Sequence, residues 1–287
     1  MNIAPIRDIQ PFQFGVTIRV RVCRTWRPKV FKSDDQFSGL QCILVDTMGD
    51  AIQATIREID YHLVSPRIKV GCVYDISHFY TTKSKPSFQI VPHAASLIFN
   101  ARTVFKKLLN VQPTIPTHRF YFLDYNYLPS RINDNTILTD VLGRITAMQD
   151  LETKMVDNVR LETKCEIHIE NIRREKIRVT LWGDTAKTFD VKALQQLVSP
   201  TFVVFTSLKV KEFQGQTVLN STISTLFFIN PDIPELQAYK TFFSHFTNSI
   251  RMLASSASQQ LGNSKRLSVA ELNVLHPDMY KSGHYAF

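Results

Sequence analysis

The four cysteines among 287 residues (Cys23, Cys42, Cys72 and Cys165) lie too far apart for a zinc-binding pair, since no two are within four residues of each other. They read as small buried hydrophobes in a reducing compartment, so no disulfide, metal or other cofactor is expected. No apolar run reaches the ~18 residues of a membrane-spanning helix, so no membrane partner is expected. The opening residues, MNIAPIRDIQPF, lack the apolar stretch of a secretory leader. GxSxG, HExxH, P-loop and GxGxxG patterns are all missing, and the eight histidines are scattered. No nucleophile, base and orienting group can be assembled from sequence, so the chain reads as non-catalytic. Acidic residues (25) are outnumbered by basic ones (34), for a net charge of +9. That surplus favours a polyanionic partner and is silent about fold.

Apolar residues make up 44% and charged residues 21%, enough for true cores and too apolar for wholesale disorder. At ~100–200 residues per domain, the length suits one large domain or two ordinary ones. The charge is unevenly placed. Residues 1–115 hold 15 basic and 8 acidic side chains, whereas residues 116–245 hold 15 of each. Long-range attraction for a polyanion therefore resides mostly in the first third.

The hydrophobic pattern repeats one plan twice. Val16, Ile18, Val20 and Val22 alternate with Thr17, Arg19, Arg21 and Cys23, as in a strand with one buried face. Two apolar runs, 40–45 and 51–56, flank an Asp/Gly turn and read as a hairpin. A short helix fits 57–65, and strands fit 70–81 and 88–91. The second half offers a strand at 141–148 and alternating runs at 165–169 and 177–181. A helix fits 184–198, followed by strands at 202–210 and 218–226. Strand, hairpin, short helix and hairpin in this order suit a five-stranded OB barrel. The expected fold is thus all-β with short helices: two tandem OB-fold barrels, residues 1–115 and 116–235, divided near the prolines of 111–117. Leu236, Tyr239, Phe243, Phe246, Ile250 and Leu253 recur every three or four residues, as on a C-terminal amphipathic helix of about five turns. Helix and linker are assigned to 236–264. The helix either packs on its own barrel or serves a partner.

Base stacking needs an exposed ring and phosphate binding needs Lys or Arg, so single-strand binders interleave the two. The first half places Arg24, Trp26, Arg27, Lys29 and Lys32 in one loop, and Lys83 and Lys85 beside Phe88 in another. The second half places Arg173, Arg174 and Lys176 in a hairpin turn, Trp182 at the hairpin's end, and Lys209 and Lys211 beside Phe213. Counting by twos sets Trp182 opposite the aliphatic face of Ile177, Val179 and Leu181. An aromatic in a strand is more often core than platform, and a lysine run is more often a solvated face. The matching of both residue types in equivalent loops of two repeats favours binding.

Three strings in the second half, Arg178-Val-Thr-Leu-Trp-Gly-Asp184, Lys209-Val-Lys-Glu-Phe-Gln-Gly215 and Asn230-Pro-Asp-Ile-Pro-Glu235, resemble the tandem single-stranded-DNA-binding domains of the replication protein A large subunit. Leu44-Val-Asp46, Ile52-Gln-Ala-Thr55 and Phe99-Asn100 extend the likeness into the first half. Arg24-Thr-Trp-Arg-Pro28 is similar to the plant members. The resemblance implies a non-catalytic single-stranded DNA binder in replication, repair or recombination. It also implies a nuclear location, with other replication protein A subunits or repair proteins as candidate partners. It implies stacking by Trp182 and Phe213, a phosphate contact from Lys209, and one stacking ring, Phe88, in the first domain. The other ring position of that domain falls at Ile56, and Gln216 stands where a basic residue is usual. Both departures leave open an OB-fold protein-interaction module; RNA binding is a further alternative. Residues 265–287 resemble the lead-in to a third, zinc-bearing domain, so a shortened member that does not form the usual trimer is expected.

Overall fold

The computed structural model describes residues 3–254, apart from residues 31, 32, 34, 157–159, 198, 199, 247 and 248. Lys32, the expected continuation over 255–264 and the lead-in at 265–287 lie outside the described residues.

The first half builds a seven-stranded sheet from β1 (Ile18–Trp26), β2 (Gly39–Val45), β3 (Ala51–Arg57), β4 (Val73–Ser77), β5 (Tyr80–Lys83), β6 (Ala95–Phe99) and β7 (Val104–Leu108), in the order β5-β6-β3-β2-β1-β4-β7. The hairpin between β2 and β3 turns on Asp46, whose carboxylate accepts the backbone N–H of Met48 at 2.9 Å and of Asp50 at 3.0 Å. Gly49 supplies the left-handed φ of +79° that this turn needs. Helix α1 (Glu58–Val64) follows β3 directly and carries Glu58 and Asp60 in its first turn, where its dipole favours negative charge. Ile18, Val20, Leu44, Ile52, Ala54, Ile56, Leu97 and Phe99 fill the barrel.

The second half repeats the design with β8 (Thr139–Gln149), β9 (Glu152–Val156), β10 (Arg160–Glu170), β11 (Lys176–Trp182), β12 (Phe202–Phe213), β13 (Gln216–Asn220), β14 (Phe227–Ile229) and β15 (Arg251–Leu253). Pairings run β14-β12-β13-β11-β10-β8-β15, and β12 also pairs β8, closing the barrel. Ile167, Ile169, Val179, Leu181, Val203, Phe205 and Leu219 form its core. In the first half, β4 and β5 share the work that the long β12 does alone: β4 pairs β1 and β5 pairs β6. Two curled sheets of this topology are tandem OB folds.

Several elements differ from the sequence reading. Residues 88–91 form a loop, not a strand, and Gln89 bridges Ile137 of the second half. The helix expected over 184–198 splits into α2 (Gly183–Thr188) and α3 (Val191–Gln195), because Phe189 turns into the core and Asp190 caps α3 by accepting the N–H of Ala193 at 3.0 Å. The tail helix is shorter than its spacing suggests: α4 spans Pro234–Phe242, and residues 251–253 form β15, parallel to β8. Beyond α4, Phe243 and Phe246 lie 4.9 and 5.2 Å from the buried guanidinium of Arg144. That cation and the unfilled edge of β8 hold the chain more strongly than a run of Phe, Thr and Ser favours helix.

Barrel meets barrel through a third apolar cluster, in which Cys23, Trp26, Ile43, Ile90 and Val91 pack against Ile115 and Leu138. All four cysteines are free thiols. Burial pushes those of Cys23, Cys42 and Cys165 up to about 12, so they stay protonated and inert.

Candidate nucleic-acid interface

Strand alternation builds the most developed site. Along β11, Ile177, Val179 and Leu181 point into the core, which sends Arg178, Thr180 and Trp182 outward. Cross-strand pairing extends these into rows. His168, Arg178, Val218 and Lys211 form one row, and Glu166, Thr180, Asn220 and Lys209 the next. Lys164 faces Trp182 at the end. All of these except Lys209, together with Phe213 at the end of β12 and Gln214 in the turn after it, line a groove of about 700 Å³. Phe213 is 49% exposed at the rim, and the guanidinium of Arg178 lies 4.8 Å from its ring centre. Trp182 is half-buried, and its backbone N–H donates to Ser221 Oγ at 2.8 Å.

Two carboxylates line the groove, Glu212, which is exposed, and Glu166. Glu166 accepts a hydrogen bond from His168 Nε2 at 3.0 Å and has Arg178 Nη1 at 3.8 Å. The hydrogen bond, then the charges of Arg178, His168 and Lys164, holds its carboxyl below the usual range despite burial. The acid is thus neutralised in place, and Lys211 stays exposed on the rim. Rings at two positions with cations beside them can stack flat apolar groups while binding anions at the margin. The sequence reading did not single out Arg178, although it shares the outward register of Trp182. Gln149, Leu253 and Ala254 line the groove through tertiary placement alone.

The other expected residues are distributed differently. Arg24 and Trp26 are not surface contacts. A bulge between Val22 and Arg24 shifts the register of β1 and turns its end into the seam between barrels. There Arg24, 3% exposed, donates to the carbonyl of Arg119 at 2.9 Å, and Trp26 packs in the seam cluster. Arg27 is clamped between Phe37 and Tyr61, 4.1 and 3.8 Å from their ring centres, and donates to Glu58 at 2.6 Å. Lys29 reaches across the seam to Asp184 at 2.6 Å, holding that carboxyl below its usual range. Arg173 pairs with Asp124 and with Glu175, and Arg174 with the buried Glu170 at 2.5 Å. Lys176 is exposed beside a neighbouring hollow that Gln216 also lines.

Lys83 and Lys85 are exposed on and after β5. Phe88 is half exposed, and its N–H is fixed to the carbonyl of Asn135 at 2.7 Å. Lys209 lies 5.2 Å from its ring centre, so Phe88 stands at the seam beside the second barrel. Ile56 is fully buried in the first core. By parity, the outward residue that ends β3 as Trp182 ends β11 is Arg57.

This architecture defines a tandem OB-fold protein with an aromatic and basic groove on its second barrel. A family model described as a domain of unknown function, DUF223, matches residues 7–127, and one described as the Replication protein A OB domain matches residues 130–230. The chain is similar to a Replication protein A 70 kDa DNA-binding subunit of Arabidopsis thaliana, 26% identical over 258 residues, which cover 88% of this chain and 40% of that protein. The zebrafish (Danio rerio) Replication protein A 70 kDa DNA-binding subunit is 28% identical over 244 residues, covering 83% and 38%. A solved structure described as a Replication Protein A heterotrimer bound to ssDNA shares the fold, with a TM-score of 0.62 at 21% identity, over 95% of this chain and 62% of that one. The chain therefore belongs to the replication protein A large-subunit family. It spans about two-fifths of the length of these two curated relatives.

Proposed function

We propose that this chain binds single-stranded DNA without catalysis, laying bases on Trp182 and Phe213 and phosphates along Lys211, Arg178 and the exposed Lys176. The observation that carries this reading is the groove itself: two rings and their cations gathered on the outward face of one barrel. Lys83 and Lys85 of the basic first barrel extend the cationic track, and Phe88 with Lys209 bridges the two barrels. Family membership supports action in DNA replication, repair or recombination, in the nucleus and beside other replication protein A subunits. The proposed domain limit near 115 falls between β7 (Val104–Leu108) and β8 (Thr139–Gln149), and that near 235 falls at the start of α4.

Fluorescence titration of labelled dT, rU and duplex oligomers at two salt concentrations tests the proposal. Tighter binding to dT than to duplex, weakening with salt, is expected. Preference for rU would make this an RNA binder, and no binding to any oligomer would leave the protein-interaction reading.

A further inference from the structure

The second groove lies on the outward face of β10, β11, β13 and β12, and the equivalent strands of the first barrel are β2, β3, β6 and β5. One ladder row crosses that face: Gln41 opposes Thr55, Thr55 opposes Ile98, and Ile98 opposes Tyr80. In the second barrel the matching row runs Thr180, Asn220, Lys209, because Thr180 and Thr55 each stand two residues before the end of their strands. Tyr80 therefore holds, on the outward face of the first barrel, the ladder position that Lys209 holds on the second. It is 45% exposed, and a second ring, Phe14, 71% exposed, meets it edge-on with centres 6.4 Å apart. The segment carrying Phe14 is fastened to β5. Gln13 donates its N–H to Thr81 Oγ1 at 2.6 Å and accepts from that hydroxyl at 3.0 Å, and Phe12 donates to the Thr81 carbonyl at 3.2 Å. Two large rings held in solvent by a two-way clamp are not core residues left over.

We infer that Tyr80, buttressed by Phe14, is a nucleobase-stacking platform of the first barrel, standing in for the ring absent from the outward end of β3, where Arg57 takes the register of Trp182. This rests on the single-stranded DNA reading and assigns where the first barrel grips the strand. Ile98 separates Tyr80 from a polar patch in which Gln53 Nε2 and Thr55 Oγ1 both donate to Gln41 Oε1, at 2.9 and 2.8 Å; a base, with an apolar face and polar edges, matches that surface where an apolar peptide does not.

The test is titration of the full chain with labelled dT, comparing wild type with Tyr80→Ala, Tyr80→Phe and Phe14→Ala, each also placed in a Trp182→Ala/Phe213→Ala background. Photocrosslinking to 5-iododeoxyuridine oligomers runs alongside. Stacking predicts an affinity loss of about five- to a hundred-fold for Tyr80→Ala, a smaller loss for Phe14→Ala, and near wild-type binding for Tyr80→Phe. Crosslinks should map to Tyr80 or Phe14. If wild type binds and Tyr80→Ala binds equally well, or if no crosslink reaches either ring, the platform is refuted while the second-groove reading stands. Equal losses in Tyr80→Phe and Tyr80→Ala would also overturn stacking, since the hydroxyl would then be the contact. If wild type fails to bind dT at all, the DNA reading itself falls. Should Tyr80→Ala prove unstable, the crosslink map on wild type decides.

Discussion

Trp182 and Phe213 can be tested singly because neither belongs to the barrel core. The Ser221 hydroxyl fixes the backbone of Trp182, and the Arg178 guanidinium lies against the ring of Phe213. Truncating either ring to alanine should weaken single-stranded DNA binding by ~1–3 kcal/mol at fixed salt and leave the melting temperature near wild type. A large fall in stability with unchanged affinity of the folded protein would return them to the core. Ile56 shows the opposite case. Its neighbours in sequence suggest a groove position, but strand parity, which admits no half-steps, sends it inward and leaves Arg57 outside.

Among the elements, the tail is the one whose form depends most on a buried charge. Glu170 accepts from Arg144 at 2.7 Å within the second barrel, and Arg174 closes on its other oxygen. Phe243 and Phe246 cover Arg144, and Tyr239 donates to the Leu142 carbonyl at 3.1 Å. Removing one partner strands the other in a dry site. Glu170→Ala should therefore cost ~3–5 kcal/mol of unfolding free energy, measured by denaturant titration. The 3-4 spacing of the tail was legible as an apolar face. It could not show that the face would be taken up by a cation and a strand edge instead of continuing as helix.

At the scale of the molecule, charge and grooves are divided between barrels. The first barrel contributes exposed lysines ahead of a seam closed by Arg24, Trp26 and the Lys29–Asp184 pair. The second contributes the groove lined by Trp182 and Phe213. Replacing Lys83 and Lys85 together by alanine should reduce the magnitude of the log K against log salt slope by about 1.4, at ~0.7 per phosphate on single strands. The loss at low salt should exceed that at high salt. An unchanged slope would place those lysines off the DNA path.

Periodicity and turn chemistry, read along the chain alone, determined two barrels, their hairpins and the outward register of Trp182, because alternation in a half-buried strand is a local property. They also marked Phe213 as a turn-flanking ring. Long-range pairing decided what composition could not. It hid Arg24 and Trp26 behind a bulge, spent Arg173 and Arg174 on carboxylates, and set Arg178 beside Phe213. It also brought Phe14 onto Tyr80 from 66 residues away. Burial and partnership depend on what the rest of the chain places opposite a residue, and a linear pattern holds no record of that.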